Sequence, residues 1–376
     1  MSIRILPPPS QRWLTHWLIG LFLVTPAATA VACQLCYEAA RQMLTDGLQL
    51  DMADRVVLAV PGTLSDQYRI VAVVKGNDVI GDIVADSVTG IDVPEEGGDP
   101  HLIVRAGGAQ QWTSLGTIPV EYADWLRALA ATYVIDGERR RAAWPRSMQP
   151  SPVLSDAGWR RRIVLVLPHL EDPTPLAARI AWGEVSRAPY EALDVARSRI
   201  DPATVAGWLE DPTLAARRAS CTLLLGFVGR PEDADRLEQR LEAAWTTHDV
   251  TDLAAMIGAD LELHGPTRVD WVESKYFADR QRTMPEIEAA LLALHVHGEA
   301  NRTVPRARVI QAYRVFIKER PPMAGFVAQQ LADWDYWDAA TEYAALLASD
   351  AVKDPASHFA VVNYLQHAAA AKAALR

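Results

Sequence analysis

The stretch Leu170-Glu171-Asp172-Pro173-Thr174-Pro175-Leu176-Ala177-Ala178-Arg179 returns as Leu209-Glu210-Asp211-Pro212-Thr213-Leu214-Ala215-Ala216-Arg217, a shift of 39 residues at the leading Leu-Glu-Asp-Pro-Thr. An aspartate followed by proline reads as a helix start. The carboxylate of Asp172 or Asp211 can cap the first free backbone N–H groups, and Pro173 or Pro212 at the first helical position sacrifices no hydrogen bond. A period near forty built from helices is the signature of a stacked array, in which each unit buries its apolar face only against its neighbours. The small residues Ala177, Ala181, Ala216 and Ala219 allow close helix contact.

Downstream, helices are predicted over about Pro231 to Trp245, Val250 to Leu263, Pro285 to Val296, Pro305 to Lys318, Pro322 to Leu331, Trp337 to Leu347 and Pro355 to Ala374, with Pro285, Pro305 and Pro355 as first-turn prolines. Upstream, Glu121 to Ile135 is predicted helical, with Tyr122, Trp125, Leu126 and Leu129 on one stripe. Residues 136–152, with Arg139-Arg140-Arg141 and three prolines, read as a linker whose basic triplet is a solvated face. Leu214 to Gly229 ends at a glycine stop before Pro231. Through Arg218, Leu225, Gly226 and Gly229 it resembles the HEAT-repeat pattern R-x-x-A-x-x-x-L-G-x-x-G, with Cys221 where alanine is usual. That resemblance implies a HEAT-like α-solenoid with an extended binding surface.

Between residues 53 and 118 the pattern changes. Ala53 to Ala59, Tyr68 to Val74, Ile80 to Ser87, His101 to Arg105 and Trp112 to Ile118 are short, mostly β-branched runs separated by Pro61-Gly62, Lys75-Gly76-Asn77-Asp78, Gly97-Gly98-Asp99-Pro100 and Gly107-Gly108. Five such strands without intervening helices predict a small barrel or sandwich. The strand Ala53-Asp54, Val56-Val57, Ala59 and the strand closing on Lys75-Gly76 are similar to the netrin-module type of OB-like barrel. That likeness implies a protease-inhibitor-like role only if Cys33 becomes the first residue. The fold class expected is therefore α+β and multidomain: a small five-stranded OB-like β barrel followed by a HEAT-like α-solenoid. The expected boundaries are 1–32 for a leader, 33–120 for the β domain with its leading helix, 121–152 for a helix and linker, and 153–376 for the helical array.

The first 32 residues have the three parts of a secretory signal: Arg4 and Arg12, an apolar run from Trp13 to Val24, and small residues through Ala27-Ala28-Thr29-Ala30-Val31-Ala32. The apolar run is short for a membrane-spanning helix. Cleavage after Ala30 or after Ala32 both fit, and the second would leave Cys33 first, in a sequence similar to a relaxed lipobox. Export to the periplasm or beyond is expected, with membrane attachment only if Cys33 is lipidated. Cys33 and Cys36 form a C-x-x-C that can close a disulfide, act as a redox dithiol or ligate a metal. Tyr37 stands where haem attachment needs histidine, and no second cysteine or histidine pair has zinc spacing.

The chain has 376 residues, half of them apolar, and a net charge of −10. The acidic balance argues against a nucleic-acid partner, which needs clustered cations on phosphates. No nucleophile elbow, phosphate loop, dinucleotide fingerprint or zincin motif is present, so no catalytic residue, cofactor or metal is expected. Trp334, Tyr336 and Trp337, in a five-residue run with Asp335 and Asp338, are candidate binding aromatics; alternatively the tryptophans close two successive helices and Asp335 caps the second. His295 and His297, two apart, point to opposite sides of a helix and cannot share a metal. The whole layout resembles a group of exported bacterial proteins that begin A-C-x-x-C, matched here by Ala32-Cys33-Gln34-Leu35-Cys36, Lys75-Gly76, Leu170-Glu171-Asp172-Pro173 and Asp333-Trp334. No activity carries over from that group. The sequence therefore predicts an exported binding or scaffold protein that engages a protein or envelope component, with thiol–disulfide chemistry at Cys33 and Cys36 as the alternative.

Overall fold

The computed structural model describes residues 45–62, 67–84, 87–91, 98–106, 111–133 and 154–374. The leader, the Cys33–Cys36 pair and the linker with Arg139, Arg140 and Arg141 lie outside them. The described chain is α+β, a five-stranded sheet followed by many helices.

Helix α1, Asp46–Met52, is capped by Thr45, whose hydroxyl accepts the Leu48 N–H at 3.2 Å. It runs directly into β1, Ala53–Pro61. Strands β2 (Tyr68–Lys75), β3 (Val88–Thr89), β4 (His101–Ala106) and β5 (Trp112–Thr117) complete a sheet of order β2-β1-β4-β5-β3. The pairs β1–β2, β1–β4 and β4–β5 are antiparallel and β3–β5 is parallel, so the sheet is mixed. Among the described residues it is open at β2 and β3, and the expected barrel does not close.

The strand predicted at Ile80 to Ser87 is also displaced. Gly81, at φ +97°, makes a tight turn inside that apolar run. The flanking residues fold back on β2 through Ile70 N–H to the Asp82 carbonyl (2.9 Å) and Val84 N–H to the Tyr68 carbonyl (2.8 Å). Pairing here is limited to one bridge between Arg69 and Ile83, and the third strand forms only at Val88–Thr89.

Alternation along β1 fills two cores. Val57 and Ala59 join Tyr68, Ile70, Ile103 and Trp112 on one face. Val56 and Leu58 face the other way and share a continuous core with the first helices, from Leu126 and Ile163 to Leu176 and Leu224. Helix α2, Ala123–Ala131, buries Leu126 and Leu129 as its periodicity predicts, and Arg127 Nε donates to the Val73 carbonyl on the outer side of β2 at 2.8 Å.

The remaining helices are α3 (Asp156–Val166), α4 (Pro175–Arg187), α5 (Pro202–Glu210), α6 (Arg218–Val228), α7 (Pro231–Thr247), α8 (Leu253–His264), α9 (Val269–Val272), α10 (Met284–Ala300), α11 (Arg306–Glu319), α12 (Ala328–Asp333), α13 (Ala340–Ala348) and α14 (Pro355–Ala374). Helix α8 packs on α6 and α10 as well as on its predecessor α7, while α6 also packs on α5 and α10 on α11. Helices α6, α8 and α10 thus form a row. Gly226 is what allows the α6–α8 approach, since a Cβ there would lie 2.8 Å from the Ala259 Cα.

The two repeat copies begin alike and then diverge. Asp172 accepts from the Thr174 N–H and Asp211 from the Thr213 N–H, each at 2.8 Å. Asp211 is the N-cap, with Pro212 opening a 3-10 turn that leads into α6. In the first copy α4 starts two residues later, with Thr174 as N-cap and Pro175 in the first position. The extra proline is the cause: the residue before a proline is driven out of the helical region, and Thr174 is extended at ψ 111°.

Asp335 does not cap a following helix. It sits at φ +53° and terminates α12, its N–H donating to the Ala332 carbonyl (3.0 Å) while the Tyr336 N–H returns to Leu331 (2.9 Å).

Candidate functional site

An apolar hollow lies across the row of helices, where the C-terminal end of α4 meets α6, the start of α8 and the Glu288-to-Val296 stretch of α10. It encloses about 540 Å³, within the range of ligand-binding clefts. Helix α10 explains why the hollow is apolar. Ile287, Ala290, Leu291 and Leu294 are buried in the core. Ala289, Leu292, Ala293 and Val296 repeat the helical spacing two residues further on, and this second stripe lines the groove. Leu292 is 54% exposed and Val250, at the mouth, 43% exposed, so the apolar wall reaches solvent. Val185 from α4 and Leu223 from α6 complete it.

Tyr190 forms the floor. Its ring packs against Phe227 at 4.7 Å and His297 at 5.0 Å, and its hydroxyl donates towards Glu262 at 3.4 Å. His297 is 1% exposed, and its Nε2 lies 2.8 Å from the Gly258 carbonyl, which fixes Nε2 as the protonated nitrogen. Burial pulls the imidazole down to about 4 against the gain from that hydrogen bond, so it is neutral at pH 7. Burial likewise pushes the Glu262 carboxyl up, opposed by the Thr303 hydroxyl at 2.7 Å and by the Arg197 guanidinium. The Tyr190 hydroxyl is raised by burial beside Glu262. These groups satisfy one another beneath the floor and brace it. Ser186, on the wall, donates to the Trp182 carbonyl at 2.8 Å and bonds the Ser220 hydroxyl at 2.9 Å, so its oxygen is held by neighbouring structure. The charged residues of the lining are Asp252 and Glu288, and no basic side chain is among them.

A cluster of buried charges lies between α1, α3 and α4. Arg162 donates to both oxygens of Asp51 at 2.6 and 2.5 Å and through Nε to the Thr132 hydroxyl at 2.9 Å. Arg187 reaches Asp51 at 2.6 Å and Glu184 at 2.8 Å. Gly47 leaves room for Glu184, whose Oε1 would stand 1.6 Å from any Cβ there. This cluster is a joint between the sheet and the helices.

The predicted aromatics do not line the groove. The Trp334 ring is parallel to that of Tyr313, at 5.7 Å and 2°, and stacks on His295 at 6.1 Å. Its indole N–H meets Glu299 at 2.5 Å, and a Cβ on Gly298 would lie 2.3 Å from the ring. Trp337 packs on Tyr364 at 5.4 Å, and the Tyr336 carbonyl accepts from the Tyr364 hydroxyl. All three are half-buried and serve the junction of α10 to α14. His295 and His297 take different environments, as their spacing predicts. Among the described residues no three His, Cys, Asp or Glu side chains gather as a metal would need. Cys33 and Cys36 lie outside the described residues; Cys221 is buried, and burial pushes its thiol up to about 11. The sequence predicts a helix over about Pro285 to Val296 and no groove, although the second stripe at Ala289, Leu292, Ala293 and Val296 is written in that helix.

No protein-family model, curated protein or solved structure matches the chain.

Proposed function

We propose that this protein is an exported cell-envelope binding or scaffold protein, and that the groove across α4, α6, α8 and α10 is where it holds a protein or envelope component. The observation that carries this reading is the second apolar stripe of α10, which lines the groove and comes to the surface at Leu292: an apolar wall reaching solvent and bordered by charged residues marks an interaction surface. The repeat starts at Leu170 and Leu209 and the row formed by α6, α8 and α10 support a HEAT-like solenoid, a fold type whose extended surface is used for binding. Export rests on the leader, and N-terminal sequencing with mass spectrometry of the mature protein tests it by finding Val31 or Cys33 first, the latter with or without an acyl group. A first residue of Val31 ends the inhibitor-like reading. The thiol alternative rests on Cys33 and Cys36 alone, because Cys221 is enclosed.

Leu292→Arg tests the binding reading. Leu292 is largely exposed, so the variant is expected to keep the wild-type circular dichroism and melting temperature. A component of the exported fraction that co-purifies with the wild type is expected to be lost from the variant. Recovery of the same component by both proteins contradicts the reading.

A further inference from the structure

The groove's lining is asymmetric in charge. Its apolar wall is bordered by two carboxylates, Asp252 and Glu288, with no basic side chain to balance them. Neither carboxylate serves the fold by an ion pair among the described residues. Asp252 occupies the N-cap position of α8 yet makes no side-chain capping bond. An aspartate at that position ordinarily spends its carboxylate on the N–H groups of the first turn.

The two acids fall towards the same end of the groove. His248, just before α8, bonds Glu286 near the start of α10 at 3.1 Å, and Gly258 within α8 bonds His297 in the second half of α10. Helices α8 and α10 therefore run side by side in the same direction, which places Asp252 and Glu288 near their common N-terminal end. Each helix start contributes a partial positive charge of about half a unit. Two full negative charges outweigh two such ends and leave that end of the groove net acidic.

Resting on the binding reading above, we infer that the groove takes an apolar peptide segment carrying a basic side chain, with its apolar side chains on the α10 stripe and its cation against Asp252 and Glu288. The volume of about 540 Å³ suits a few side chains, not a folded surface. The preference for a cation is a rim effect, modest in size and sensitive to salt.

The test uses the full mature chain and three end-capped octapeptides of alternating leucine and alanine, bearing a neutral dye and a central lysine, glutamine or glutamate. Fluorescence anisotropy at low salt is expected to rank lysine tightest, about fivefold over glutamine, with glutamate weakest. The double variant Asp252→Asn, Glu288→Gln is expected to bind the lysine and glutamine peptides alike, at the wild-type glutamine affinity. Asparagine tolerates the φ of +56° at position 252, so the variant adds no strain. Equal binding of all three peptides by the wild type, or tighter binding of the glutamate peptide, overturns the charge preference and leaves the groove reading standing. Binding of none of them, or binding that Leu292→Arg leaves unchanged, overturns the groove as their site.

Discussion

His297 lies directly beneath the floor of the groove, enclosed against Tyr190 and tied to the Gly258 carbonyl. Its charged form is disfavoured in the native state, where its value is about 4, and free in the unfolded chain, near 6.5. A base lowered by folding contributes stability that is present above its unfolded value and is lost as pH falls from about 6.5 towards about 4. Between pH 7 and pH 5 the wild type should therefore lose about 2 kcal/mol more than His297→Gln, measured by denaturant unfolding at both pH values. Equal losses would show that the imidazole is not enclosed. At this scale the sequence is partly legible. The alternation of His295 and His297 about a helix predicts two environments, and both appear. The contacts that fix those environments, a hydrogen bond to the Gly258 carbonyl and a stack on Trp334, come from far away in the chain, which no local pattern reveals.

Helix α6 carries the clearest repeat signal, and its Gly226 shows what that signal means physically. The pattern requires a glycine because α8 passes within a Cβ's reach, at 2.8 Å from Ala259. Gly226→Ala should destabilise by about 1–3 kcal/mol through overpacking. Gly207, inside α5, meets nothing within 4 Å, and Gly207→Ala should stabilise by about 0.5–1 kcal/mol through reduced backbone freedom in the unfolded chain. Opposite signs in thermal melts check the pair, and matching signs refute the packing account. Most helices were legible because proline and glycine punctuate them. The displacements trace to single residues whose backbone demands outrank periodicity: Pro175 moves the start of α4, Gly81 replaces a strand by a turn, and Asp335 ends α12 where it was expected to start the next helix. The second stripe of α10 was legible too, but it becomes a groove only when α4, α6 and α8 stand around it.

The sheet and the helices are joined by charges as well as by a shared apolar core. Arg162, with no exposed surface, is held by Asp51 at the end of α1 and by Thr132 after α2. Removing one partner of a buried pair strands the other, so Arg162→Met should cost about 3–5 kcal/mol. The double change Asp51→Leu, Arg162→Met should cost clearly less than the sum of the two single changes, as a double-mutant cycle in denaturant would show. The partners are 111 residues apart in sequence, so this joint was not readable before the fold was known. The same holds for the groove, which draws its walls from segments spread between Val185 and Val296.

The measurement that bears most directly on the account is photo-crosslinking in the living exporting cell. A photoreactive amino acid is placed at Leu292 or Val250 in the groove, and at Asp235 on exposed α7 as a control. Adducts to the same partner from both groove positions and none from Asp235 are the predicted result. Adducts from Asp235 alone, or from all three positions equally, would contradict the groove as the binding surface.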